Sequence, residues 1–167
     1  MSNDIKIIDH SEQINAIRKK YGEKFHHLKE PYQEAAQVWG FLNHNAHGVL
    51  EHYQTEKVVD YKGNKAEIHL AESSTGNWLI GVSAMTSISG HCYSPSVFSS
   101  YGFSSYEDAR LAGIIELQRF FDREARSNNS CGGASHKIQC EEVVKILQSE
   151  KQPQLDMFGL LGGSHAR

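Results

Sequence analysis

Two runs, Glu56-Lys57-Val58-Val59-Asp60-Tyr61 and Lys65-Ala66-Glu67-Ile68-His69-Leu70-Ala71-Glu72, flank the cluster Lys62-Gly63-Asn64 and decide the fold class. In the second run Ala66, Ile68 and Leu70 alternate with Glu67 and His69. That period of two places the first set toward a core and the second toward solvent. A turn-forming cluster between two such runs predicts a β-hairpin. Ser73-Ser74-Thr75-Gly76-Asn77 supplies the next turn, and Trp78, Ile80, Val82 and Ala84 alternate along a third strand. Residues 86–103 are rich in Ser, Gly and Tyr and contain Pro95, which predicts a loop with one short, irregular edge strand near Tyr93–Phe98.

Outside this β region the period changes. Ile14, Ile17, Tyr21, Phe25 and Leu28 recur at helical spacing and predict a helix from Ser11 to Leu28, with Asp9 and Glu12 as its capping box. Pro31 suits the first turn of a second helix that carries Tyr32, Ala35, Ala36, Val38, Trp39 and Leu42 to about Asn43. After the strands, Ser104 and Glu107 form a capping box for a long helix, Tyr106–Arg126, with Ala109, Ala112, Ile114 or Ile115, and Phe120 or Phe121 facing the sheet. Asn128-Asn129-Ser130-Cys131-Gly132-Gly133 has a linker composition. A short helix is expected over Lys137–Gln148, followed by an extended, solvated Ser149–Pro153. The expectation is therefore an α+β fold. A helical hairpin precedes a three- to four-stranded antiparallel sheet with one long helix packed on it, and a flexible tail with a short helix follows. The globular domain covers residues 1–126 and the tail 127–167.

The chain has 167 residues, a formal charge of −3, 39% hydrophobic and 22% charged residues, all ordinary for a globular protein. Seventeen basic side chains against 20 acidic ones exclude a protein that holds nucleic acid chiefly by overall charge. No window approaches a membrane span, no membrane partner is expected, and the polar start Met1-Ser2-Asn3-Asp4 lacks a secretory signal, so a cytoplasmic location is the expectation. Three cysteines without framework spacing (Cys92, Cys131, Cys140) read as reduced thiols. Nothing in the sequence sets the oligomeric state.

Function is written in the tail. Gln154-Leu155-Asp156-Met157-Phe158, followed by Gly159-Leu160-Leu161, is a bulky apolar cluster in a polar stretch, and such a cluster calls for a surface to cover it. This pentapeptide resembles the motif by which bacterial proteins dock on the replicative sliding clamp, the ring that encircles DNA for polymerases and repair factors. All five positions match its usual form, Gln-Leu-(Ser or Asp)-(Leu or Met)-Phe. The resemblance implies that Gln154 is a polar anchor, that Leu155, Met157 and Phe158 fill an apolar cleft, and that Asp156 is a solvated spacer. It implies the bacterial DNA polymerase sliding clamp as partner and DNA only indirectly. It also implies a non-enzymatic accessory or inhibitor of replication or repair, of a size that suits a phage or other mobile element. Short peptides of this kind bind through a few aromatic and aliphatic anchors.

The alternative is a small regulatory binding domain whose apolar tail packs on itself or in an oligomer. The strand-to-helix passage Gly102-Phe103-Ser104-Ser105-Tyr106-Glu107-Asp108-Ala109 resembles the helix start of HicB-type antitoxin domains. Tyr93, Phe98, Tyr101 and Phe103, interleaved with serines, form a candidate platform for single-stranded nucleic acid, though Lys and Arg are scarce between residues 66 and 109. His44, His47 and Glu51 would share a face if their stretch were helical, but Gly48 and two asparagines predict a turn there, so no metal is expected. Cys131, His136 and Cys140 lack the close pair that structural zinc uses. No nucleophile elbow, phosphate-cradling glycine loop or carboxylate pair is present, so neither catalysis nor a cofactor is expected.

Overall fold

In the computed structural model, which describes residues 5–127 and 133–151, the first element is one the sequence does not announce: a strand, β1 (Ile7–Asp9). It leads into α1 (Ser11–Tyr21), which begins after His10. Asp9 lies one position too early to be its cap, and its Oδ1 accepts from the Ser11 N–H at 2.8 Å. Gly22, with φ of +56°, ends the α-helix seven residues before the point the periodicity suggests, and Gly22–His27 continues as a 3₁₀ helix. The second helix, α2 (Glu30–Trp39), stops at Gly40 rather than Asn43. Gly40 takes the left-handed conformation (φ 79°, ψ 29°), and the Phe41 N–H reaches back to the Ala36 carbonyl at 2.9 Å, a Schellman-type ending that only the αL residue permits at low cost.

The hairpin is β2 (Gln54–Tyr61) and β3 (Asn64–Glu72), paired antiparallel with Tyr61 opposite Asn64. Lys62 (φ 49°) and Gly63 (φ 83°) both have positive φ, the two-residue turn that matches strand twist. β4 (Trp78–Met85) pairs with β3 along its full length. The irregular strand lies earlier than expected, at β5 (Gly90–Tyr93), hydrogen-bonded to the second half of β4. Tyr93–Phe98 mostly leaves the sheet as it turns at Pro95. β6 (Tyr101–Phe103) meets the first residue of β4 at Trp78 and pairs with β1. The antiparallel sheet thus has six strands among the described residues, in the order β1-β6-β4-β3-β2 with β5 beside β4, rather than three or four.

Helices cover both faces. Ile14, Ile17, Tyr32, Ala35, Ala36 and Trp39 of the α1–α2 hairpin pack on Ala71, Leu79 and Val97. The opposite face carries α3 (Tyr106–Arg126), with Ile114, Leu117, Phe120 and Phe121 against Ile68, Leu70 and Val82. Its cap is Ser105, one position later than expected: the Ser105 Oγ accepts from the Asp108 N–H at 3.1 Å and donates to the Asp108 carboxylate at 2.9 Å. Gly113 brings this helix close to the sheet, since a Cβ there would stand 2.8 Å from Ile68 Cγ2.

One sequence expectation is overturned here. His69, predicted to face solvent, is 8% exposed. Its Nδ1 shares a hydrogen bond with the Thr55 hydroxyl at 3.1 Å, and the Tyr53 ring lies 5.0 Å away. Burial holds its pKa below the ordinary imidazole value, against a weaker upward pull from Glu67. A base with a depressed folded pKa contributes stability that is present above its unfolded value, about 6.5, and is lost as pH falls through that region. The unfolding midpoint is expected to drop between pH 7 and 5, and less steeply in His69→Gln. Identical pH slopes for the two proteins would contradict this reading.

The last described helix also differs from expectation. α4 (Gly133–Glu150) is longer than Lys137–Gln148, and it packs in the same core as α3 through Cys140, Val143, Val144 and Leu147. The packed body therefore continues to about Glu150. Arg110 clasps this arrangement: its Nε donates to Glu56 of β2 at 2.7 Å and its Nη2 to Glu150 at 2.8 Å, while Tyr106 Oη donates to Glu56 at 2.9 Å. These groups are partly solvated, which screens the pairs. Arg110→Ala is expected to lower stability in urea by about 1–2 kcal/mol and to raise hydrogen exchange at the end of α4 first. A loss below about 0.3 kcal/mol would show that the clasp is incidental.

Candidate functional site

The clamp-like peptide Gln154, Leu155, Asp156, Met157 and Phe158 lies outside the described residues, as do Cys131 and the linker 128–132. The chain leading to the peptide is anchored by α4, whose last residue Glu150 is held by Arg110. The side chain of Lys151, the last described residue, contacts Gln118 on α3.

The aromatic candidates divide. Tyr93, Tyr101 and Phe103 converge on one groove, whereas Phe98 sits on the other face of the sheet. There it packs edge-on against Phe25 and Tyr32, with the Arg18 guanidinium 5.6 Å from its ring centre. The groove has a volume of about 470 Å³ and lies beside α3 where Ile7 of β1 and Tyr101 of β6 are left exposed, while Phe103 of β6 is buried against the α3 core. Ile80 lies at its floor, Ile5, Ile7, Tyr101 and Phe103 form one wall, and Ala112, Ile115 and Arg119 of α3 form the other. Ile7 is 59% exposed and Tyr101 56%, so apolar surface stands open to water.

Charge at the groove is specific. Tyr93 Oη donates to Glu116 Oε2 at 2.6 Å, and His91 Nε2 stands 3.6 Å from the other oxygen. Burial and this carboxylate together push the Tyr93 phenol well above its ordinary range, so it stays a neutral donor. Glu116 is thereby occupied. Arg119 is exposed at the rim and has no hydrogen bond or ion pair among the described residues. Asp122, Arg123 and Arg126 continue from it along the outer side of α3.

The histidine stretch forms a turn, as its glycine and asparagines predict. Asn45 Oδ1 accepts from the N–H groups of His47 (2.8 Å) and Val49 (3.1 Å), and the His44 ring bonds the Asn45 carbonyl at 2.9 Å. Gly48 is needed there: φ is +72°, and a Cβ would stand 2.6 Å from the Tyr32 ring. His47 and Glu51 are exposed, and no three His, Cys, Asp or Glu side chains among the described residues are placed to hold a metal. His136 and Cys140 lie one turn apart in the core, Sγ to Nε2 at 3.6 Å, and burial pushes the thiol up to about 11, which makes it a packing group at neutral pH.

Sequence reasoning missed Ile5, Ile7, Ile115 and Arg119 as site residues. Their only signal was the alternation Ile5-Lys6-Ile7 and two helix positions four apart, and no local pattern joins those segments. No protein-family model, curated protein or solved structure matches the chain. Among the described residues no helix is long and apolar enough to cross a membrane.

Proposed function

We propose that this protein docks on the bacterial DNA polymerase sliding clamp through Gln154–Phe158 and acts there as a non-enzymatic accessory or inhibitor of replication or repair. The observation that carries the reading is the five-position match to the clamp-binding form. Its placement supports it. The peptide begins four residues after the end of α4, a helix that packs in the core of the described body. Gln154 supplies the polar anchor, and Leu155, Met157 and Phe158 supply the apolar plugs. Met adapts its shape to such a cleft. DNA is reached through the ring that already encircles it, which agrees with a formal charge of −3.

The convergence of Tyr93, Tyr101 and Phe103 favours single-stranded nucleic acid less than it first suggests. Four isoleucines share the groove with them, and the Tyr93 hydroxyl is held by a carboxylate that would repel phosphate. The regulatory-domain alternative rests on the start of α3 and on an apolar tail that packs on itself or in an oligomer. Competition tests the proposal: a synthetic peptide spanning residues 152–160 should displace the full chain from immobilised clamp. Retention of the chain at saturating peptide would place the contact elsewhere.

A further inference from the structure

We infer that the groove between α3 and the β6–β1 edge is the resting site of the chain's own Leu155-Asp156-Met157-Phe158 segment, so that clamp docking competes with an intramolecular dock. The inference deepens the proposed function in that the same three apolar side chains serve both surfaces.

Reach comes first. The Glu150 carbonyl meets the Arg110 guanidinium and the Lys151 side chain meets Gln118, both on the α4-facing side of α3. Arg119, which follows Gln118, lines the groove on the other side of the same helix turn. An α-helix with side chains is about 10–12 Å across. Leu155 stands four residues beyond Lys151, a reach of about 13 Å at about 3.3 Å per residue, and Phe158 reaches about 23 Å. That reach spans the distance around α3 to residues 112–119, where the groove lies.

Chemistry comes second. The lining is aliphatic and aromatic (Ile5, Ile7, Ile80, Tyr101, Phe103, Ile115), which suits leucine, methionine and phenylalanine better than nucleobases. Arg119 has no ion pair among the described residues and stands at the rim. Asp156, between the plugs, supplies the opposite charge, while Glu116 is already engaged by Tyr93 and His91. A short connection gives an effective concentration of about 1 mM, so a groove with an intrinsic Kd of about 0.1 mM would be filled roughly ten times more often than empty. The affinity seen by the clamp would then be about tenfold lower than that of the free peptide.

Hydrogen exchange on the full chain decides it. Amides of residues 155–158 should exchange about tenfold more slowly in the wild type than in Arg119→Glu, a surface charge reversal, or Ile7→Asp, at the open wall. Protection of the α3 and α4 amides reports that each variant is folded. Both variants should also bind clamp about tenfold more tightly than the wild type. Equal exchange in all three proteins overturns the inference and leaves the clamp reading standing. Protection that grows with protein concentration overturns it in favour of a second copy. Slow exchange relieved by both variants, with no clamp binding by any of them, sustains the inference and removes the clamp reading.

Discussion

Replacing Trp39 by alanine is expected to cost about 3–5 kcal/mol and to lower the thermal midpoint by roughly 10–15 °C. Trp39 is 0% exposed and ranks among the largest fully buried side chains. It closes α2 onto the sheet in three ways. Its indole N–H donates to the Ser99 carbonyl at 3.0 Å, its ring meets His10 edge-on at 4.4 Å, and its edge fills the space above Gly102, where a Cβ would stand 2.6 Å from Cζ3. The alanine variant leaves a cavity and strips the Ser99 carbonyl of its donor, and both losses add. Typical domains hold only about 5–15 kcal/mol in total, so the residual stability is small. The effect also reaches the groove, because Ser99, Ser100 and Tyr101 form part of its lining. Calorimetry measures the midpoint, and a fall of less than about 3 °C would show that the β6 edge is held by something other than this ring.

The strands with six or more residues were legible because alternation needs length to show. β2, β3 and β4 each span eight or nine residues, and the Lys62-Gly63 turn marks their register. The long helix was legible from its periodicity, with a cap one position off because Ser104 and Ser105 are both competent caps. β1 and β6 span three residues each, too few for any period, and exist because each completes the other's hydrogen bonds. The helix ends at Tyr21 and Trp39 were signalled by Gly22 and Gly40, but apolar residues beyond each glycine kept the pattern running. His69 read as exposed because alternation assumes one solvated face, whereas its ring is covered at Thr55 and by the Tyr53 ring.

The proposed docking peptide Gln154–Phe158 is a linear string, since such a peptide carries its chemistry in consecutive residues. The groove is assembled from Ile5 and Ile7, Ile80, Tyr93, Ser99–Phe103 and the 112–119 face of α3, and only the sheet order brings them together. For the same reason Phe98 looked like a partner of Tyr101. Three residues apart in sequence, they fall on opposite faces of the sheet.

Leu155→Ala/Phe158→Ala should abolish docking while leaving the fold in place. Truncating an anchor of this kind costs about 2 kcal/mol or more, so two together cost about 4 kcal/mol, close to a thousandfold in Kd. The described core draws on neither residue, and the thermal midpoint should stay within about 5 °C of the wild type, the range that losing a weak intramolecular dock would span. Loss of binding with a held midpoint separates a docking peptide from a structural segment. The most direct measurement is a calorimetric titration of purified bacterial clamp with the full chain and with this double variant. The account predicts saturable binding by the wild type and none measurable by the variant at the same concentrations. Equal binding by both, or heat from neither, would contradict it.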